Sequence, residues 1–203
     1  MDIPTPPVSD PPQPQRPPSL LQEDLLVLHQ MSSFMSNNFH IENQHGQVVG
    51  VIHTSGSGFS RFFMGSRLLQ VQEADGRPLL EIEDTLNFGR DTFELREPQG
   101  KPLAQLRKRF TFFRRQVDMH LAEGTIVELH GNIFDFEFEF RIGELVPARV
   151  SRQWSGLARG LLGRSTYVLS FATDVPPQLR AAIIGGVVTL DLMRAKDEQG
   201  SNS

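Results

Sequence analysis

The chain has 203 residues, 38% of them hydrophobic, with 15 phenylalanines and a formal net charge of −4, which fits one domain with a large core plus a tail. It has no cysteine, so disulfides, thiolate metal sites, cysteine catalysis and palmitoylation are all excluded. No apolar run behind basic residues marks a signal peptide, and the net acidity means that any attraction to acidic lipid or nucleic acid has to come from a local patch.

Residues 1–18 contain eight prolines and few groups to bury, and they read as a disordered, polyproline-II-prone tail. Pro11, Pro14 and Pro17 give PxxP spacing beside Arg16, an element that SH3-type grooves accept. Such spacing also arises readily by chance in a proline-rich stretch. The domain is expected over residues 19–195, with 196–203 as a frayed C-terminal tail.

Ser19-Leu20-Leu21-Gln22 reads as a capping box, with Leu21, Leu25 and Leu28 following at helical spacing. The expectation is a short amphipathic helix to about Gln30, laid on the domain or plugging one end of it. From Asn38 to Ala172 the period becomes two. Eleven segments read as strands: 39–43, 47–53, 67–73, 77–83, 91–97, 101–107, 115–121, 125–131, 133–142, 147–154 and 165–171. Turn signals at Gln44-His45-Gly46, Asp75-Gly76, Gln99-Gly100 and Glu123-Gly124 separate them. Gly76-Arg77-Pro78-Leu79 recurs as Gly100-Lys101-Pro102-Leu103, which makes the region a meander of hairpins. Phe134, Phe136, Phe138 and Phe140 alternate with Asp135, Glu137 and Glu139, the carboxylates reading as a solvated strand face.

Gln178 to Arg194 behaves differently, because its apolar residues cover every side of a helix. Such a helix is buried in protein or in a membrane. Its uncharged run, Ala181 to Leu190, covers about 15 Å at helical rise, against roughly 30 Å of hydrocarbon, and Arg180 and Asp191 close it. The helix therefore belongs inside its own domain. Gly185-Gly186 costs about 1 kcal/mol per glycine relative to alanine, which implies that something packs closely there. A closed antiparallel barrel of eleven or twelve strands is too wide to be filled by its own side chains, so barrel and helix call for each other.

Three stretches carry a family resemblance. LLVLHQMSSF followed by FHIENQHGQVVGV resembles the opening of the phospholipid scramblase domain. Ala148 to Gly156, ARVSRQWSG, is similar to that family's basic segment ending in tryptophan. AAIIGGVVTLDLM matches its C-terminal helix in size, glycine placement and late Asp191. Scramblases and the plant LURP-one-related proteins are similar to the Tubby C-terminal domain, which implies a twelve-stranded barrel around a buried hydrophobic helix. The resemblance further implies binding of anionic phospholipid headgroups through basic surface residues, with transbilayer lipid movement as the family's associated activity. Of the family's calcium segment only Asp174 survives, Gly163, Ser165 and Pro176 standing where acidic residues are expected. One carboxylate cannot supply the six to eight oxygens that calcium takes, so neither calcium nor any other cofactor is expected. Asp174 also reads as a charge favouring the N-terminus of the helix.

No G-x-S-x-G, Walker A, G-x-G-x-x-G or H-E-x-x-H motif is present, so no hydrolytic or redox chemistry is expected, and the six scattered histidines read as surface residues. One local concentration stands out: Arg107, Lys108, Arg109, Arg114 and Arg115 surround Phe110, Phe112 and Phe113 on a predicted hairpin. Two readings stay open, a lipid-headgroup surface with aromatics entering the interface, or cations paired with the acidic 134–140 strand over a phenylalanine core. A single-strand nucleic-acid surface has similar composition, but the acidity and the resemblance count against it. Arg149 and Arg152, with Arg159 and Arg164 beyond, form a weaker basic set beside Trp154. The sequence thus predicts a cytoplasmic, peripherally membrane-associated binder of anionic phospholipid. The competing class is a protein-interaction module that uses the proline-rich tail.

Overall fold

A computed structural model describes residues 18–29, 38–54, 68–87, 90–110, 115–152 and 166–200; the tail before Pro18 lies outside them. Twelve strands follow in chain order: β1 (Leu25–His29), β2 (Asn38–Asn43), β3 (Val48–Thr54), β4 (Leu68–Glu73), β5 (Pro78–Asn87), β6 (Arg90–Arg96), β7 (Pro102–Phe110), β8 (Arg115–Leu121), β9 (Ile126–Asn132), β10 (Glu137–Ile142), β11 (Leu145–Ser151) and β12 (Thr166–Phe171). Each pairs antiparallel with the next, and β1 pairs with β12 to close a barrel. The one α-helix among the described residues, α1 (Pro177–Gly200), follows.

The alternation that marks the strands is what fills the barrel. Leu69 and Val71, Phe93 and Leu95, Phe138 and Phe140 point inward, while Gln70, Glu94 and Glu139 between them do not reach the core. Against these residues α1 presents Ala182, Ile183, Ile184 and Val187, all fully buried. Gly185 explains the glycine pair: a methyl there would overlap the Leu95 side chain, with Leu80 Cδ1 3.2 Å away, and at Gly186 it would come within 3.3 Å of Met119 Sδ. The helix axis is therefore brought close to the wall where β5 and β6 pass it.

Consecutive connections of this meander leave opposite ends of the barrel. One end is closed by tight turns, such as those that put Gly76 at φ 86° and Gly100 at φ 80°, a left-handed conformation that glycine adopts without penalty. The same end receives the chain's entry. Ser19 Oγ and Leu20 N donate to the buried Glu73 carboxylate at 2.7 and 2.8 Å, and Leu20 packs where a Cβ on Gly50 would come within 2.5 Å of it.

Three expectations are corrected. Residues 19–29 form no helix: Ser19–Gln22 is one turn, with Gln22 N donating to Ser19 O at 2.9 Å, and Leu25–His29 is strand β1. It has partners on both sides, β2 and β12, which the local leucine spacing could not reveal. Residues 133–142 are not one strand, because Ile133–Asp135 is a 3-10 turn and Phe136 adopts φ 56° before β10 begins. Finally, α1 continues through residues 196–200, which the sequence assigns to a frayed end.

Candidate functional site

The predicted basic hairpin exists as β7 and β8, and its register is fixed. Arg107 stands opposite Asp118, Lys108 opposite Val117, Arg109 opposite Gln116 and Phe110 opposite Arg115. Leu106 and Met119, one position nearer the closed end, are fully buried, so Arg107 and Asp118 face outward. Arg107 is exposed and its Nε donates to Gln105 Oε1 at 2.7 Å. Strand alternation divides the cluster: positions 107 and 109 share one face with Asp118 and Gln116, while positions 108 and 115 share the other with Val117. The side chains of Lys108, Arg109 and Arg115 are not described, and Arg114, Phe112 and Phe113 lie outside the described residues. The structure thus places the hairpin without uniting all five cations on one surface.

The carboxylates of β10 do not reach this hairpin's described cations; they serve the second basic set. Arg149 Nε lies 3.2 Å from Glu139 Oε2, and Arg141 pairs with the same carboxylate. The Arg141 hydrogen bond, more than Arg149, holds the Glu139 carboxyl below its usual range. Glu137 accepts from Ser151 Oγ at 2.9 Å and from Arg152 N at 2.8 Å. Arg149 also borders an outer-wall groove of about 610 Å³ with Asp24, Gln44 and Ser170. Arg159, Arg164 and Trp154 lie outside the described residues.

At the end opposite the tight turns the structure assembles a group that sequence reasoning missed. Phe136 stacks on Tyr167 with ring centroids 4.2 Å apart and planes 12° from parallel. The Arg152 and Arg194 guanidiniums approach the Phe136 ring to 5.7 and 5.5 Å. Tyr167 is fully buried, and burial, with the Asp191 charge second, raises its phenol well above the ordinary range. The one available signal was Arg194 closing an apolar helix, but nothing local ties it to Phe136. At the other end of α1, Arg180 Nη2 donates to Asp24 Oδ1 at 2.6 Å, Nη1 to Glu23 O at 2.8 Å and Nε to Val175 O at 3.2 Å. A cation in a helix's first turn opposes the helix dipole; these three bonds offset that and tie α1 to the strand that closes the barrel. α1 therefore runs from the tightly turned end to the open one.

Asp174 is exposed at φ 62°, three residues before α1 begins, and the first turn of the helix carries no acidic residue. It stands outside the turn where a charge acts most strongly on the dipole. Among the described residues no group of three or more His, Asp or Glu is placed to hold a metal ion, and no helix is long and apolar enough to cross a membrane.

A solved structure of a protein from Arabidopsis thaliana has the same fold, with a TM-score of 0.53 at 12% identity over 82% of this chain and 90% of that one. No curated protein matches the sequence. The family profile described as LURP-one-related matches residues 23–191, from the approach to β1 through most of α1. With all twelve strands, the closing seam and most of the buried helix inside that match, the chain belongs to the LURP-one-related family.

Proposed function

We propose that this barrel is a peripheral binder of anionic phospholipid headgroups that turns its open end to the membrane. The observation that carries the reading is the separation of charge between the two ends. Six connections leave the open end, residues 30–37, 55–67, 88–89, 111–114, 133–136 and 153–165. Together they contain one acidic residue, Asp135, against five arginines (Arg61, Arg67, Arg114, Arg159, Arg164) and ten aromatic residues. Asp135, and Asp91 one residue into β6 from the 88–89 turn, are acidic positions near this rim. The other end carries Asp75, Glu97, Glu123, Glu144 and Asp174 against Arg77 and Lys101. A cation near an acidic leaflet contributes about 1 kcal/mol, and aromatic rings enter the headgroup layer. Arg107, Lys108, Arg109, Arg114, Arg115 and Arg152 stand towards this end, whereas Arg149 is farther down the wall on Glu139. The lipid contacts lie on the barrel rim, since α1, the apolar element, is enclosed. The same rim contacts are the route by which the barrel would promote transbilayer lipid movement.

Flotation with vesicles tests this. The protein is expected to float with phosphatidylcholine vesicles containing phosphatidylserine, not with phosphatidylcholine alone, and to dissociate as salt rises, because exposed charges are screened beyond about 8 Å at physiological ionic strength. Arg107→Glu with Arg109→Glu should abolish flotation while leaving the melting temperature in place. Unchanged flotation by that double variant overturns the reading. Binding that instead requires residues 1–18 and an SH3-type partner favours an interaction module.

A further inference from the structure

The hydroxyl of Ser19 holds the closed end together through a bond that a single covalent change would reverse. Its Oγ donates to Glu73 Oε1 at 2.7 Å, the Leu20 amide donates to the other oxygen at 2.8 Å, and Glu73 is 5% exposed. Leu20, fully buried in the core, occupies the space that a side chain on Gly50 would need. The turn is completed by Gln22 N and Glu23 N, which donate to Ser19 O at 2.9 and 3.3 Å. Beyond it the chain is held by other partners. Arg180 binds Glu23 O and Asp24 Oδ1, Asn43 Nδ2 donates to Glu23 Oε1 at 3.2 Å, and Phe171 N donates to Asp24 O at 2.8 Å. Residues 18–22 are therefore a latch fastened on Glu73, which can lift away while Glu23 and Asp24 stay fixed.

We propose that Ser19 is a phosphorylation site and that the phosphate releases this latch. Arg16 stands three residues before Ser19 and is the only lysine or arginine ahead of Arg61. An arginine at that spacing is what serine kinases with an acidic pocket upstream of the acceptor select, and the exposed Pro18 leads into the site. The step is a phosphoryl transfer from MgATP. Ser19 Oγ bonds to the γ-phosphorus, the bond from that phosphorus to ADP breaks, and the hydroxyl proton passes to the kinase's catalytic aspartate. Ser19 is half-buried beside a core leucine, so a kinase reaches it only in the open latch, and the rate follows the open population. Once modified, Ser19 cannot return. Oγ has lost its proton to donate, the phosphate overlaps the carboxylate that lay 2.7 Å away, and about two negative charges face a buried third. The open state is trapped, and the apolar socket of Leu20 beside Gly50 is left uncovered.

The full-length protein, incubated with MgATP and an arginine-directed serine kinase, should gain a phosphate at Ser19, located by tandem mass spectrometry and slowed by Arg16→Ala. Glu73→Ala unfastens the latch without altering the sequence that the kinase reads, and should speed the modification about tenfold. Phosphoserine installed at position 19 during synthesis should raise hydrogen exchange at the Leu20, Gln22 and Glu23 amides while β6 to β9 stay protected. It should also lower the melting temperature by a few degrees, and Glu73→Gln, which removes the opposing charge, should shrink that fall. Failure of the kinase to modify Ser19 in both the parent and Glu73→Ala overturns the proposal, as do equal rates in the two. Exchange and melting left unchanged by the installed phosphoserine overturn it independently.

Discussion

The two ends of the barrel are built on different terms. At the closed end, each hairpin returns through a few residues whose backbone is dictated by a glycine, and the space inside is stoppered by Leu20 under Glu73 and by Arg180 on Glu23, Asp24 and Val175. At the open end the connections are long or aromatic and basic, and the described contacts are rings and guanidiniums around Phe136. A scaffold that fixes its strands from one end leaves the opposite loops free to vary, and loops on a rigid scaffold are where binding residues concentrate. On the proposed reading, stability belongs to the closed end and the middle, and recognition to the open rim.

The largest effect should come from the middle. Ile184→Asp buries an unpaired charge, which costs several kcal/mol, and the variant is expected not to fold; a soluble, cooperatively melting product shows that the barrel stands without its plug. Next, Gly185→Ala should cost about 1–3 kcal/mol by overpacking against Leu95, and Leu95→Ala in the same chain should recover part of it in chemical denaturation. At the closed end, Glu73→Ala leaves the Leu20 amide without its acceptor and should cost about 1–3 kcal/mol with flotation unchanged. Equal loss of flotation there breaks the division between the ends.

Alkaline pH probes how deep the open end is sealed. The chain has one tyrosine, and the folded state raises the pKa of its phenol. The unfolded chain therefore loses this proton first as pH rises past about 10, so the contribution of Tyr167 to stability is intact below that pH and is lost above it. Ultraviolet difference absorbance should show no tyrosinate until the circular dichroism of the fold collapses. Free titration near pH 10 in folded protein means that the rim admits water to Tyr167. The smallest effect belongs to Arg107→Ala, expected within about 0.5 kcal/mol of the parent as an exposed substitution.

Most of the barrel was legible because polar and apolar residues alternate wherever the outer face meets water, as at Leu69, Gln70 and Val71. Where that contrast vanished, the reading failed. In β1 the run Leu26-Val27-Leu28 is buried on both faces, and an apolar run of that length does not distinguish strand from helix by periodicity. Leucine spacing then favoured the wrong answer. α1 was legible for the converse reason, since no other arrangement hides an apolar surface on all sides. The basic hairpin was found as a string of residues, but pairing across to β8 decides which face each position takes. The Phe136, Tyr167 and Arg194 group needed three elements brought together, and no spacing along the chain encodes that.

One consequence follows from the position of α1 after every strand. During synthesis, strands β1 to β12 emerge with their inner leucines and phenylalanines facing a space that nothing yet occupies, and Leu25 has no β12 partner until Ser170 has been made. Neither the seam nor the filling can form until the final segment leaves the ribosome. Domains whose contacts span long sequence separations fold slowly and expose apolar surface meanwhile. A nascent chain stalled or truncated before residue 177 is thus an unfilled sheet, a client for chaperones or degradation rather than a shorter working protein.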